Sequence, residues 1–157
     1  MAEQVKIGSA AAVQSKPANV CFGCGEANAA GMHLQFSRDD RRRRVIGTFR
    51  LEDRYQGAPG MAHGGIVALV LDEALSKVSR FYDVRAVTAE LNVEYLKPVR
   101  VGDEIHVEAH QELAEGRNLF HVGEIRDAAG RVLARARGRF VVVDPEKFRR
   151  VNGVNLG

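Results

Sequence analysis

Pro59-Gly60-Met61-Ala62-His63-Gly64-Gly65-Ile66-Val67-Ala68-Leu69-Val70-Leu71-Asp72-Glu73-Ala74 is the stretch whose reading decides the fold. A Pro/Gly loop runs into a histidine and two glycines, and an almost unbroken apolar run then carries two adjacent carboxylates. A surface helix sets an apolar stripe against a polar face, whereas Ile66 to Leu71 has no polar position. The run therefore predicts a helix enclosed on most sides. Enclosing that helix also encloses at least one acid.

Side chains three and four residues apart share a helix face. Glu73 has an i,i+4 partner in Lys77 and reads as a solvated position. Asp72 has no such partner and falls among Ala68, Leu69 and Leu75, where a carboxylate is costly to ionise and its pKa rises toward the range useful for proton transfer. Asp72 is thus the preferred functional acid. Gly64 and Gly65 lack side chains, so a ligand oxygen can approach backbone amides that have no intrahelical acceptor. His63 could orient this turn, bind a substrate group or move a proton, and a lone histidine before a glycine turn is more often a structural hydrogen bonder.

Downstream, four alternating segments, residues 86–95, 104–113, 119–126 and 132–143, read as strands separated by turns at 98–103, 114–117 and 127–130. Upstream, residues 32–36 and 44–51 read as a hairpin around a polar turn, 37–43, and Arg41-Arg42-Arg43-Arg44 leads from that turn into the second strand. The sequence thus predicts an α+β domain, with a five- or six-stranded antiparallel sheet curled around one long apolar helix and the later strands forming a meander. Long strands leave an edge, and pairing it across a two-fold predicts a homodimer at least. Residues 1–19 read as a flexible arm, 20–143 as the domain and 144–157 as a tail without a core pattern.

Cys21-Phe22-Gly23-Cys24-Gly25 has the spacing of half a zinc site or of a redox pair, but there is no second such pair, and His33 would be a third ligand at best. The segment is read as a structural turn, with no metal and no cofactor expected. His106, His110 and His121 are read as surface or interface residues. A charge of +3 and a pI near 9.1 favour anions. No nucleic-acid motif accompanies that charge, and aromatics make up only 6%, so a base-stacking platform is not expected and the arginines read as a solvated turn. No apolar run approaches the ~20 residues of a membrane span, so a cytoplasmic protein without a membrane partner is expected.

These residues resemble the hot dog thioesterase superfamily, in particular its PaaI-type phenylacetate-pathway and 4-hydroxybenzoyl-CoA thioesterase members. The resemblance rests on His63-Gly64-Gly65 with Asp72 nine residues after the histidine, on the preceding loop from Tyr55, and on Tyr95-x-x-Pro98-Val99-x-x-Gly102, and it covers about residues 20–143. It implies hydrolysis of an acyl-CoA thioester, with CoA as part of the substrate and no further cofactor. In the family the amide at the second glycine, here Gly65, polarises the carbonyl, and the helix acid, here Asp72, activates water or attacks directly, often from another subunit of a dimer or tetramer. Ser76 and Thr88 match hydroxyl positions used by some members, and Gln56 resembles a loop amide, displaced by one residue. With His63, Gly64 and Glu73, these make the candidate site. Two other readings are an acyl-thioester hydratase or dehydratase and a non-catalytic acyl-CoA-binding or regulatory module. Arg80, Arg85, Lys97 and Arg100 are candidate contacts for CoA phosphates.

Overall fold

The computed structural model describes residues 18–153. In chain order it contains β1 (Ser37–Asp39), β2 (Arg44–Arg50), a 3-10 turn (Asp53–Tyr55), α1 (Gly64–Val78), a second 3-10 turn (Ser79–Tyr82), β3 (Ala86–Tyr95), β4 (Glu104–Glu115), β5 (Asn118–Asp127), β6 (Val132–Val142) and α2 (Pro145–Asn152). The strands form one six-stranded sheet in the order β1-β2-β4-β5-β6-β3, with every pairing antiparallel. This is the helix-in-sheet arrangement expected from the sequence. The meander is confined to β4, β5 and β6. Because α1 lies across the sheet, the strand that follows it takes the edge far from β2 and pairs with β6.

Alternation supplies the core. Ile105, Val107 and Ala109 from β4, Leu119 and Ile125 from β5, and Ala134, Ala136 and Phe140 from β6 point inward and are buried. Val67, Val70, Leu71, Ala74, Leu75 and Val78 of α1 meet them at three- and four-residue spacing. Gly123 lets the helix come close: a Cβ there would stand 3.0 Å from the Glu108 carbonyl oxygen and 3.3 Å from Leu75 Cδ2. On the other face of α1, Ile66, Ala68 and Leu69 are only half-buried, so enclosure is complete on the sheet side alone. The three turns between the later strands each place a glycine at positive φ, namely Gly102, Gly116 and Gly130.

Four readings are corrected. The first strand is Ser37–Asp39 rather than 32–36, because the Asp39 carboxylate accepts from Arg42 N at 3.0 Å and from Arg42 Nε at 2.7 Å and so folds a shorter turn. The tail contains α2, started by Asp144 and Pro145 and ended by Gly153, although none of its residues is buried. Glu73 is not solvated: it and Lys77 form an ion pair of 2.7 Å with side chains only 14% and 12% exposed. His121 is not on the surface. It is fully buried, stacked on Phe140, and its Nδ1 lies 2.8 Å from the Leu75 carbonyl oxygen. The proposed arm falls largely outside the described residues, and among those described no helix is long and apolar enough to cross a membrane.

His121 makes stability depend on pH. With Nδ1 donating to Leu75, Nε2 has no partner among the described residues, and burial drives the ring's pKa from 6.5 down to about 4. The unfolded chain then binds a proton that the folded one refuses as pH falls below 6.5, so stability is lost progressively down to about pH 4. This group alone should cost roughly 3 kcal/mol at the lower limit. Urea unfolding at pH 7 and pH 4.5 should show a smaller drop in midpoint for His121→Gln than for the parent chain. Equal drops would remove this assignment.

Candidate active site

The helix start is built by the preceding loop. Gln56 holds that loop with both ends of its amide: Oε1 accepts from Gly60 N at 2.6 Å and Nε2 donates to the Asp53 carbonyl at 3.0 Å. His63 N donates to the Tyr55 carbonyl, and Ala62 N to the Val99 carbonyl, each at 2.8 Å. His63 is the N-cap residue, extended at φ −61° and ψ 137°, and its Nδ1 accepts from Gly65 N at 2.9 Å. The Gly65 amide is therefore already occupied. Gly64 N–H finds no acceptor among the described residues, while the Gly64 carbonyl accepts from Tyr95 Oη at 2.9 Å. A recess of about 480 Å³ opens here, bordered by His63, Gly64, Val67, Tyr95 and Lys97.

Asp72 lies further along α1, half-buried, where Thr88 Oγ1 of β3 donates to its Oδ1 at 2.9 Å. Burial pushes the carboxyl above the ordinary aspartate value, the Thr88 hydroxyl draws it part of the way back, and the charge of Glu73 adds a smaller upward push. Oδ2 is left for another partner. Thr88 and Tyr95 both belong to β3, the edge strand, so the acid and the helix start are each tied to the free side of the sheet.

Other candidates are placed elsewhere. Ser76 Oγ donates back to the Glu73 carbonyl at 2.9 Å and borders a hollow of about 160 Å³ with Lys77, Arg80 and Arg85. Arg100 faces Asp103, whereas Lys97 borders the recess at Gly64. Glu73 turns away from Asp72 toward Lys77 and Cys21. The sequence reading missed the Tyr95 bond, since Tyr95 entered it only as the end of a strand and as part of the family pattern. It also missed the meeting of Cys21 with Glu73, which are 52 residues apart.

Asp72 and Gly64 cannot serve one carbon from one helix. Eight residues separate them, which is about 12 Å along the axis at about 1.5 Å per residue.

An antiparallel sheet wrapped on a single long helix is the hot dog arrangement. The family model described as Thioesterase superfamily matches residues 59–134, a little under half of the chain. The chain is 28% identical over 127 residues to the acyl-coenzyme A thioesterase THEM4 of Bos taurus, covering 80% of this chain and 52% of that protein. The chain thus spans about half the length of that relative. A crystal structure described as a thioesterase superfamily protein superposes with a TM-score of 0.70 at 31% identity, covering 74% of this chain and 60% of the other. The PaaI protein from the phenylacetic acid degradation operon of E. coli gives a TM-score of 0.61 at 18% identity, covering 65% and 74%, a likeness of fold.

Proposed function

We propose that the protein hydrolyses an acyl-CoA thioester to a free acid and CoA, as a homodimer at least, with each site shared between two copies. The observation that carries this reading is the Asp72–Thr88 bond on the free edge strand, beside a helix start whose Gly64 amide is open on the same edge. A two-fold near the middle of β3 would run two such strands antiparallel. Asp72 of one copy then approaches the helix start of the other, and the half-buried apolar face of α1 gains a cover.

In this arrangement the thioester carbonyl accepts from Gly64 N–H, while a substrate oxygen at Gly65 would have to compete with His63. Negative charge grows on that oxygen during attack, and one preorganised donor is worth about 3 to 4 kcal/mol in well-studied hydrolases. Asp72 either takes a proton from water as its oxygen bonds to the carbon, or bonds to the carbon itself to give an anhydride that water opens. The C–S bond breaks in either case, and the CoA sulfur leaves with its electron pair and gains a proton. Thr88 orients the carboxylate, His63 holds the turn, and Lys97 in the recess offers a cation to the CoA phosphates.

The test is release of free thiol from a panel of acyl-CoA esters. Release supports hydrolysis. Loss of an enoyl thioester's conjugated absorbance without thiol would replace it with hydration, and tight binding without any turnover would replace it with a binding module.

A further inference from the structure

We propose that Cys21, Cys24 and Glu73 form a site for a thiophilic divalent cation of the zinc class, with solvent in the fourth position. Both sulfurs and a Glu73 carboxylate oxygen lie within 4.8 Å of one another, and Cys21 Sγ stands 3.2 Å from Glu73 Oε1. Tetrahedral coordination at Zn–S of about 2.3 Å and Zn–O of about 2.0 to 2.2 Å needs only a small inward movement from there. His33, the third ligand suggested by spacing, is elsewhere, with Nε2 2.6 Å from the Asn28 carbonyl oxygen. The chain supplies its third ligand from α1 instead.

The loop is shaped around this cluster. Gly25 N donates to the Cys21 carbonyl at 2.8 Å and closes the turn, and the Gly23 carbonyl accepts from Leu34 N at 2.8 Å. Asn19 Oδ1 accepts from Cys21 N at 3.1 Å, and its Nδ2 is 4.0 Å from Cys24 Sγ. Gly23 presses on the carboxylate itself: a Cβ there would lie 2.5 Å from Glu73 Cδ, so any side chain would displace the ligand. The two carboxylate oxygens are divided, with Oε2 on Lys77 Nζ at 2.7 Å and Oε1 turned to the cysteines.

Charge also balances. Two thiolates, one carboxylate, the Lys77 ammonium and a divalent ion sum to zero. A disulfide of Cys21 and Cys24 would take from Glu73 Oε1 the thiol it faces and leave that oxygen directed at sulfur with nothing to bind, which is why the cation is preferred. Binding releases two thiol protons and forms two metal–sulfur bonds and one metal–oxygen bond, with no change of oxidation state. The ion would clamp the segment before β1 to the middle of α1. This inference does not depend on the thioesterase reading, since its readout is metal ligation.

The full chain, stripped with chelator under reductant, is titrated with Co²⁺ and then with Zn²⁺. The expected result is one Co²⁺ per chain, with thiolate-to-cobalt charge-transfer absorption and the intense visible bands of tetrahedral coordination, bleached by stoichiometric Zn²⁺. Glu73→Gln should weaken Co²⁺ binding at least tenfold, and Cys24→Ser should abolish the charge-transfer band while circular dichroism stays native. Should either variant fail to fold, the stoichiometry and spectrum of the unaltered chain decide. No charge-transfer band in the reduced chain overturns the proposal, as does a band unaffected by folded Glu73→Gln. An as-isolated chain with no free thiol, whose reduced form ignores Co²⁺, assigns the pair to a disulfide and overturns it equally.

Discussion

Asp72→Asn is expected to lower kcat/KM for thioester hydrolysis by about 10² to 10⁴, the range lost when a positioned acid–base group is removed. Asparagine keeps the shape and can still accept from Thr88 Oγ1, so the loss would come from proton transfer or nucleophilic attack rather than from packing. Binding of a non-hydrolysable CoA thioether should change little. A variant that retains full thiol release would end the assignment of Asp72. Glu73→Gln is the natural comparison, because its carboxylate points to Lys77 and Cys21 and its loss should leave the chemical step far less affected.

Gly64→Pro carries the second large effect. Proline deletes the N–H while its fixed φ suits the first position of a helix, and the residue before it, His63, already has the extended backbone that a following proline requires. A side chain at position 64 has room, since a Cβ would meet the Tyr95 ring at 3.6 Å, an ordinary contact. The expected loss is about 10²- to 10³-fold in kcat, the usual consequence of removing one oxyanion donor. Gly64→Ala, which keeps the amide, should stay near the parent rate. Equal rates for the proline and alanine variants would exclude the Gly64 amide. Mixing Asp72→Asn with Gly64→Pro should restore activity that neither has alone, because a mixed pair rebuilds one complete site from the intact halves. Failure to recover in demonstrably mixed dimers would mean that each site lies within one copy.

The helix and the later strands were legible because their signals are local. Ile66 to Leu71 has no polar interruption, β3 to β6 alternate at period two, and each turn between them carries a glycine that the backbone uses at positive φ. The pairing of β3 with β6 was not legible, since alternation says that a strand exists and nothing of its neighbour. Asp72 stood out through its apolar helix neighbours, yet its bond to Thr88 depends on where the sheet edge passes. Glu73 was misread because its i,i+4 lysine suggested an exposed pair, whereas the Cys21 to Gly25 loop folds over both groups. His121 was misread because inward and outward positions of β5 look alike at a polar residue. The α2 helix was missed although Asp144-Pro145 and Gly153 are ordinary start and stop signals. An apolar stripe marks only a helix that packs, and this segment buries nothing.

Among the described residues, the ten-residue strand β3 ends the sheet with one side of its hydrogen-bonding ladder unfilled. Peptide groups left so are indiscriminate and adhere to other extended chains as readily as to a proper mate. If the proposed dimer pairs through β3, a freshly made copy is in a race between meeting its twin and sticking to a stranger. Abundance in the cell would then influence how much of this protein matures, as well as how fast the finished molecule works.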